Sequence, residues 1–387
     1  MNEKLNDLIQ RGIDEFKKKN FIKAEEIFKK TLRKFPEIGM IYTYLIPILI
    51  YQNKYNEAAN YANKLFNLNK KSEIGLVYLG IIYFKLNNFE KSLIHLNHAL
   101  KINRNNTDAL INISATLHKL DRNSEALISI QKAIEINDKN YIAYHTLGSI
   151  YESEAKFDDA IVSFKKAILI NPNDYESIHG LSLIQLSKKN YNAGWVNYEA
   201  RWLRSNMKFR YPDIKKLESL KDIENKKILI WHEQGFGDTI QFSRYVRLLI
   251  KLNAIVVFEV QQPLVSFIKN QIDCDVIEKA EHKDFDFQSP LLSLPKLFFK
   301  DGNNIPSPRP YFKCSRERYL YWKSLLFLSR EKINIGIAIS GNPNHYREEK
   351  RRIYLESLLP LMKLCKIFII QKELNQNDLI FSEQNEE

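Results

Sequence analysis

Residues 141–174 read YIAYHTLGSIYESEAKFDDAIVSFKKAILINPND, and their pattern of small and large residues recurs along the first half of the chain. The clearest mark is a small residue that returns every 34 positions, at Ala24, Ala58, Ser92, Ala126, Ala160 and Gly194. A fixed internal period of this length predicts a stack of similar helical units, each of which buries its apolar face only against its neighbours.

Other positions keep the same period. An aromatic residue stands three positions before the small one in most units, at Phe21, Tyr55, Phe89, Phe157 and Tyr191. A large residue often follows the small one by four positions, as at Phe28, Leu96, Ile130, Phe164 and Tyr198. Small residues precede these large ones by sixteen positions at Gly80, Ser114, Gly148 and Ser182. Because small side chains let two helices approach closely, we expect paired helices whose large residues fill the groove to the next unit.

The pattern resembles the tetratricopeptide repeat, a helix-turn-helix unit, over about residues 5–208 in six units. This resemblance implies an α-helical solenoid as domain 1–208, with a concave groove for a peptide or protein segment. The sixth unit departs from the pattern with Trp195, Tyr198, Arg201 and Trp202. Terminal repeats are expected to be atypical because they cap the stack or dock onto another part of the protein.

Composition excludes several classes of protein. The chain has 387 residues, of which 44% are hydrophobic and 27% charged, and this is enough for two ordinary domains. No apolar run approaches the roughly 18 residues of a membrane span, and the first twenty residues are rich in charge. We therefore expect a cytoplasmic protein without a signal peptide or a transmembrane anchor. Cys274, Cys314 and Cys365 are far apart and are expected to be plain thiols.

The net charge of +12 is spread over both halves of the chain. No run of Lys and Arg with interleaved aromatic residues stands out, so specific binding of nucleic acid is not expected. An acidic partner, such as a sugar nucleotide or a phospholipid head group, fits the charge equally well.

The period stops near residue 209, and residues 209–226 have the character of a linker. Short apolar runs then alternate with helical stretches, and they predict strands at residues 227–231, 255–260, 275–277, 333–340 and 366–371. Strands that alternate with helices predict a parallel sheet covered on both faces. In such sheets ligands bind at the carboxyl ends of the strands.

The loop after the first strand is the first place to look for chemistry. It reads His232-Glu233-Gln234-Gly235-Phe236-Gly237-Asp238, and an amphipathic helix follows. A dinucleotide fingerprint needs a third glycine where this chain has Ile240, so a Rossmann dehydrogenase is not expected. Asp238 then has two interpretations, a cap of the helix or a catalytic carboxylate.

Residues 226–249, 259–264, 286–295 and 335–345 resemble the glycosyltransferase-like domain that many bacterial proteins fuse to tetratricopeptide repeats. That domain is similar to the lipopolysaccharide heptosyltransferases and, in overall plan, to the protein O-GlcNAc transferases. The resemblance implies the GT-B fold, in which two Rossmann-like domains face each other. Residues 227–332 would form the acceptor side, and residues 333–387 an incomplete donor side with a polar tail.

The resemblance also implies a site for an inverting, metal-independent sugar transfer. Asp238 would be the catalytic base. The acceptor-binding residues would be His232, Glu233, Gln234, Gly235 and Gly237. The residues that hold the donor phosphates would be Gly341, Asn342, Arg351 and Arg352. The donor would be a nucleotide-sugar, with no further cofactor, and the Asp-x-Asp triplets at residues 273–275 and 284–286 are not expected to bind metal.

The donor-side segment is shorter than the family pattern requires. We therefore expect that it leans on the acceptor side, that a second chain completes it, or that catalysis has been lost. Two functions follow for the chain: a glycosyltransferase whose repeats present a protein or glycan acceptor, or a non-catalytic scaffold whose repeats bind a partner protein. The sequence names neither the acceptor nor the sugar.

Overall fold

The computed structural model describes residues 2–204, 209–281, 284–299, 306, 311–326, 328–329, 331–341, 352–370 and 374–385. The chain divides into two compact units, residues 1–307 and residues 308–387. The first unit contains the helical repeats together with a four-stranded sheet, and the second contains a two-stranded sheet. The finer division of the chain into repeats, linker, acceptor side and donor side stays a prediction.

The first part of the larger unit consists of consecutive helix pairs. They are α1 (Asn2–Lys17) and α2 (Phe21–Lys34), α3 (Gly39–Tyr51) and α4 (Tyr55–Leu68), α5 (Ile74–Lys85) and α6 (Phe89–Ile102), α7 (Thr107–Lys119) and α8 (Asn123–Ile136), α9 (Tyr141–Ser153) and α10 (Phe157–Ile170), and α11 (Tyr175–Ser187) and α12 (Tyr191–Tyr198). A 3-10 helix, Glu199–Leu203, ends the series. The predicted helical solenoid is confirmed.

The turn inside each pair repeats the 34-residue period in the backbone. One residue of each turn has a φ between 56° and 62°, and these residues are Lys19, Asn53, Asn87, Asp121, Ala155 and Lys189. Left-handed backbone is uncommon outside glycine. Its return at one register position shows that each unit closes with the same turn, whichever side chain stands there.

The periodic small residues pack as the sequence predicts. Ala24, Ala58, Ala126 and Ala160 are fully buried. A Cβ added to Gly148 would lie 2.7 Å from the ring of Phe164, and one added to Gly80 would lie 2.4 Å from Leu96. The sixteen-residue spacing therefore marks the place where the first helix of a unit lies directly against the large residue of the second.

The two sets of helices in the stack pack differently. First helices of neighbouring units contact one another in the pairs α1/α3, α5/α7, α7/α9 and α9/α11, whereas the second helices make no comparable contacts in the described chain. The first helices therefore line the inner side of the solenoid, as expected for a repeat protein with a concave surface.

A four-stranded parallel sheet follows the solenoid, in the order β3-β2-β1-β4. Its strands are β1 (Lys227–Trp231), β2 (Ile255–Glu259), β3 (Asp275–Ile277) and β4 (Phe287–Pro290). The helices are α13 (Phe236–Lys251), α14 (Gln262–Lys269) and the short α15 (Leu294–Phe298). In the central register Leu229 lies beside Val257 of β2 and Gln288 of β4.

The sequence predicted the first three of these strands and missed β4. Its residues, FQSP, are short and half polar, so hydrophobic periodicity does not reveal a strand. The strand is buried all the same. Its polar Gln288 is tolerated there because its side chain accepts a hydrogen bond of 2.7 Å from the indole N–H of Trp231.

The second unit is small. Parallel strands β5 (Ile333–Ile337) and β6 (Cys365–Ile369) form its sheet, and the helices are α16 (Arg316–Leu325), α17 (Leu359–Met362) and α18 (Gln376–Gln384). Its buried side chains centre on Ile339, Leu355 and Leu358. None of the described helices of the whole chain is both long and apolar enough to cross a membrane.

Replacement of Gly148 by alanine tests the close helix contact. Although alanine favours a helix by about 1 kcal/mol over glycine, its methyl group would overlap the buried ring of Phe164. We expect the free energy of unfolding, measured in urea by circular dichroism, to fall by about 1–3 kcal/mol.

Gly39→Ala is the matched control, because the nearest atom to an added Cβ there is Leu65 Cδ1 at 3.6 Å. This change should leave stability unchanged or raise it. Equal effects at the two positions would contradict the proposed packing role of Gly148.

Candidate functional site

The topology of the sheet singles out the loop after β1. The chain runs from β1 to β2 and β3 on one side, and then returns to place β4 on the other side of β1. In open parallel sheets, ligands bind at such a switch point, beyond the carboxyl ends of the strands. Residues 232–235, which follow β1, occupy this position.

Asp238 lies in the first turn of α13. Its Oδ2 atom accepts a hydrogen bond of 3.2 Å from the backbone N–H of Gly235, the N-cap residue. The helix dipole stabilises a carboxylate at this end of a helix. The capping interpretation therefore has direct geometric support. No hydrogen bond to Oδ1 is seen within the described chain, and the catalytic role stays a prediction.

The two glycines of the loop are not required by backbone strain. Gly235 has a φ of −71°, which any residue can adopt. A Cβ added to Gly235 would meet only Asp238 Oδ2 at 3.6 Å, and one added to Gly237 would meet nothing within 4 Å. The space beside this loop is open, so a ligand can approach the backbone there.

Glu233 is committed to internal contacts. Its carboxylate accepts hydrogen bonds of 2.7 Å and 2.9 Å from the guanidinium of Arg201, and a third of 2.9 Å from the backbone N–H of Leu292. Only 1% of its side chain is exposed. In this conformation it holds the solenoid to the sheet, and the predicted contact with an acceptor stays untested.

Arg201 is the centre of this junction, with 2% of its side chain exposed. Besides Glu233, it donates to Glu199 Oε1 at 2.7 Å and to Ser293 Oγ at 2.9 Å. Its guanidinium lies 4.5 Å from the ring centre of Tyr198 and 4.7 Å from that of Trp202. Burial alone would lower the pKa of Arg201, but the hydrogen bonds that it donates to Glu233 and Glu199 outweigh burial and raise the pKa.

Aromatic contacts extend the junction on both sides of Arg201. Trp195 contacts Phe242 at 5.5 Å, Tyr191 contacts Phe299 at 5.0 Å, and Trp202 contacts Trp231 at 5.5 Å between ring centres. The atypical residues of the sixth unit thus dock the last repeat onto the sheet. The sequence marked these residues as unusual, but not the partners that they contact.

Gln234 connects the loop to the solenoid. Its Nε2 donates to the hydroxyl of Tyr198 at 2.6 Å, and its carbonyl accepts a hydrogen bond of 2.7 Å from Gln261. Gln261 also accepts a hydrogen bond of 2.9 Å from Thr239 of α13. Gln261 belongs to the segment 259–264 that carries the resemblance, but the sequence did not place it among the site residues; it bonds both to Gln234 and to Thr239.

His232 lies beside a second buried carboxylate, Glu259, at the end of β2. Burial, assisted by the nearby charge of Arg210, lowers the pKa of His232. Glu259 contacts Arg210 and the hydroxyl of Tyr211, and it accepts a hydrogen bond of 2.9 Å from the N–H of Ala280. Burial and this contact with Glu259 raise the pKa of Tyr211 to about 12.

The inner face of the solenoid leads to the same loop. The ring of His179, on α11, lies 5.5 Å from that of Tyr198, which binds Gln234. Burial and the neighbouring Arg204 lower the pKa of His179 to about 4. His179 is therefore neutral at pH 7, and its Nδ1 lies 3.2 Å from the Arg204 guanidinium.

The predicted donor-side residues are only partly described. Asn342 and Arg351 lie outside the described residues, whereas Gly341 and Arg352 lie within them. Arg352 forms an ion pair with Asp378 and lies 5.7 Å from the ring centre of Tyr354. A phosphate would have to compete with that carboxylate, and the donor-binding role stays a prediction.

The two Asp-x-Asp triplets lie at the amino ends of the strands, whereas the loop after β1 lies at their carboxyl ends. Asp275 begins β3, and Asp286 accepts a hydrogen bond of 2.8 Å from the N–H of Lys227, the first residue of β1. The described residues contain no group of three or more His, Cys, Asp or Glu side chains arranged to hold a metal ion. Burial raises the pKa of Cys274, between the two carboxylates of the first triplet, to about 12.

Comparison with known proteins supports the prediction that the helix pairs are tetratricopeptide repeats. Two models described as tetratricopeptide repeats match this chain, one at residues 107–140 and 141–174 and the other at residues 74–106. The chain therefore contains tetratricopeptide repeats. A search of curated proteins finds no match.

Three solved structures illustrate the similarity. A thermophilic tetratricopeptide repeat protein of Thermus thermophilus is 17% identical over 47% of this chain and 99% of its own length, with a TM-score of 0.44. A tetratricopeptide repeat protein of Parabacteroides merdae is 22% identical over 53% of this chain and 81% of its own length, with a TM-score of 0.40. The APC/C hetero-tetramer Cut9-Hcn1 is 16% identical over 51% of this chain, which spans only 40% of the matched chain, with a TM-score of 0.48.

Removal of the buried cation should break the junction. Arg201→Met leaves the carboxylates of Glu233 and Glu199 without their main partner, and unpairing a buried ion pair in this way costs about 3–5 kcal/mol. Trp195, Trp202 and Trp231 all lie at the junction, so tryptophan fluorescence in urea reports its unfolding. We expect that transition to shift to lower urea.

Arg122→Met is the control, because Arg122 pairs with Glu125 on the exposed surface of the solenoid. It should have no measurable effect, since exposed pairs contribute little. An unchanged fluorescence transition for Arg201→Met would contradict the proposed role of the buried pair.

Proposed function

We propose that this protein is a tetratricopeptide repeat scaffold whose inner face binds a segment of a partner protein. The observation that carries the proposal is a series of exposed apolar side chains on the first helices. Met40, Tyr51 and Ile74 are 50%, 60% and 43% exposed, and Ile142 and Leu183 continue the series. Met40, Ile74 and Ile142 share one register position, so the exposure repeats along the inner side.

The chemistry of this face changes along the solenoid. The second and third units carry aromatic side chains on their first helices, the exposed Tyr51 and the half-buried Tyr44 and Tyr78. The last two units instead carry half-buried polar groups on their first helices, His145 beside Ser177 and His179 beside Arg204. A fitting segment therefore carries apolar anchors at one end and polar groups at the other, and the rigid solenoid holds it without reorganisation.

Substitution on the inner face tests this proposal. A random peptide library is panned against the immobilised full chain, and the affinity of a selected peptide is measured by fluorescence anisotropy. We expect Met40→Ser with Ile74→Ser to weaken binding about tenfold or more, because each change removes an apolar anchor from the groove.

Ile94→Ser with Ile128→Ser provides the control. These residues are 65% and 69% exposed, but they lie on second helices, α6 and α8. This pair should leave affinity unchanged. Equal losses from the two pairs, or failure to select any peptide, would contradict binding at the inner face.

A second candidate function is sugar transfer, with residues 227–332 as the acceptor side of a GT-B glycosyltransferase. The observation that favours it is the link from the inner face through His179 and Tyr198 to the loop of Asp238, because it brings a bound segment towards a carboxylate. A nucleotide-sugar would bind through Gly341, Asn342, Arg351 and Arg352, which a second chain would assist.

The proposed transfer is a single displacement at the anomeric carbon of the sugar. An oxygen of Asp238 takes the proton of the acceptor hydroxyl while that hydroxyl oxygen forms a bond to the anomeric carbon. The bond from that carbon to the diphosphate breaks, and the diphosphate leaves with the electron pair. His232, Gln234 and the N–H of Gly237 would orient the acceptor at the open side of the loop, while the N–H of Gly235 holds Asp238.

Binding of a nucleotide-sugar separates the two candidates. Saturation-transfer NMR with UDP-, GDP- and ADP-sugars should show binding to the full chain that Arg351→Ala with Arg352→Ala weakens at least tenfold. Asp238→Ala should keep this binding and lower turnover about 10²–10⁴-fold, the usual contribution of general base catalysis. Absence of binding to every sugar nucleotide would leave only the scaffold.

A further inference from the structure

A cavity of about 400 Å³ lies between the first two repeats, away from the inner face. Its wall includes Arg33 of α2, Tyr42 of α3, and Tyr61 and Lys64 of α4. Three of these residues belong to the two second helices, so the cavity opens on the outer side of the solenoid. Its volume lies in the range of small-molecule sites.

The cavity is rich in positive charge. Lys29, Arg33 and Lys64 all line it. Lys29 is already neutralised, because its ammonium lies 2.7 Å from Glu25 and 2.6 Å from Glu57. Arg33 and Lys64, by contrast, form no ion pair in the described part of the chain, so two cations at the rim are available to an anion.

Apart from Asn67, the rest of the lining is aromatic and apolar. The ring centres of Tyr42 and Tyr61 are 6.0 Å apart, and their planes meet at 59°. The ammonium of Lys64 lies 5.3 Å from the Tyr61 ring centre. Tyr42 is held in place because its hydroxyl donates to the carbonyl of Pro36 at 2.7 Å. Tyr42 is only 2% exposed, so the surface against which a flat ring can pack is the half-buried ring of Tyr61, with Tyr42 behind it.

This combination does not recur in the solenoid. Two repeats later, Lys101 and Lys132 stand at the register positions of Arg33 and Lys64. In the same repeats, Leu110 and Ser129 stand at the register positions of Tyr42 and Tyr61. A basic residue thus recurs at the Lys64 position, in Lys132 and Lys166, and Lys166 also lies 5.9 Å from the ring centre of Tyr144. At the Arg33 position only Lys101 is basic, so two cations with two tyrosines occur together only at the first interface.

We propose that this cavity binds a phosphate monoester carried on a flat aromatic group. The guanidinium of Arg33 matches a phosphate with two parallel N–H donors, and Lys64 adds a second, mobile cation. The half-buried ring of Tyr61 contacts the flat group beside it. A nucleoside monophosphate and a phosphotyrosine side chain share this chemistry. The site is separate from the inner-face groove, and it does not rest on either proposed function.

Calorimetry on the full chain tests the site with adenosine monophosphate and phosphotyrosine as probes. At least one of them should bind, adenosine without phosphate should not, and inorganic phosphate should bind about tenfold more weakly or worse. Arg33→Gln with Lys64→Gln should weaken binding tenfold or more, because both charge-assisted contacts are lost. The preferred probe identifies the source of the ligand.

Lys101→Gln with Lys132→Gln is the matched control, since it removes the same charge at the same register positions. It should leave the affinity unchanged, and circular dichroism should show both variants folded. The proposal is overturned if neither probe binds, if inorganic phosphate binds as tightly as the better probe, or if both variant pairs lose binding equally. Loss of binding in Arg352→Ala alone would place the ligand at the donor side and would also overturn it.

Discussion

The larger unit depends on one buried cation. Arg201 ends the solenoid, and its guanidinium is surrounded by Glu233, Glu199 and Ser293 at the carboxyl edge of the sheet. A charge this deeply buried is tolerated only where its partners are all in place. The last repeat and the loop after β1 therefore have one arrangement in which both are satisfied, and the aromatic contacts around Trp195 and Trp202 close it against water.

The same junction fixes the surroundings of the candidate chemistry. Glu233 and Gln234 precede Asp238 by a few residues, and both are bound to the solenoid through Arg201 and Tyr198. The loop is thus held from its amino side by the repeats and by Gln261, which follows β2. Such support is what a positioned catalytic group needs, and it is equally what a scaffold needs to keep its end rigid.

Much of the fold follows from the sequence, because the relevant signals are local. The 34-residue period placed the helix pairs, and apolar runs placed β1, β2 and β3. Strand β4 was not predicted because its sequence, FQSP, has no apolar pattern of its own. It is held in the sheet by the hydrogen bond between Gln288 and Trp231. For the site, the sequence placed Asp238 at the start of a helix, but it could not show that Glu233 is consumed by an ion pair with a residue 32 positions away.

The sequence by itself thus determined a repeat solenoid, a parallel sheet and a loop with a carboxylate. Each of them is indicated by patterns among residues that lie close together along the chain. The tertiary structure decided which of the polar side chains are free. Arg201 meets Ser293, 92 positions later, and Arg33 meets no carboxylate in the described chain although acidic residues lie nearby in sequence. Pairing of charges depends on distances in space that no spacing along the chain encodes.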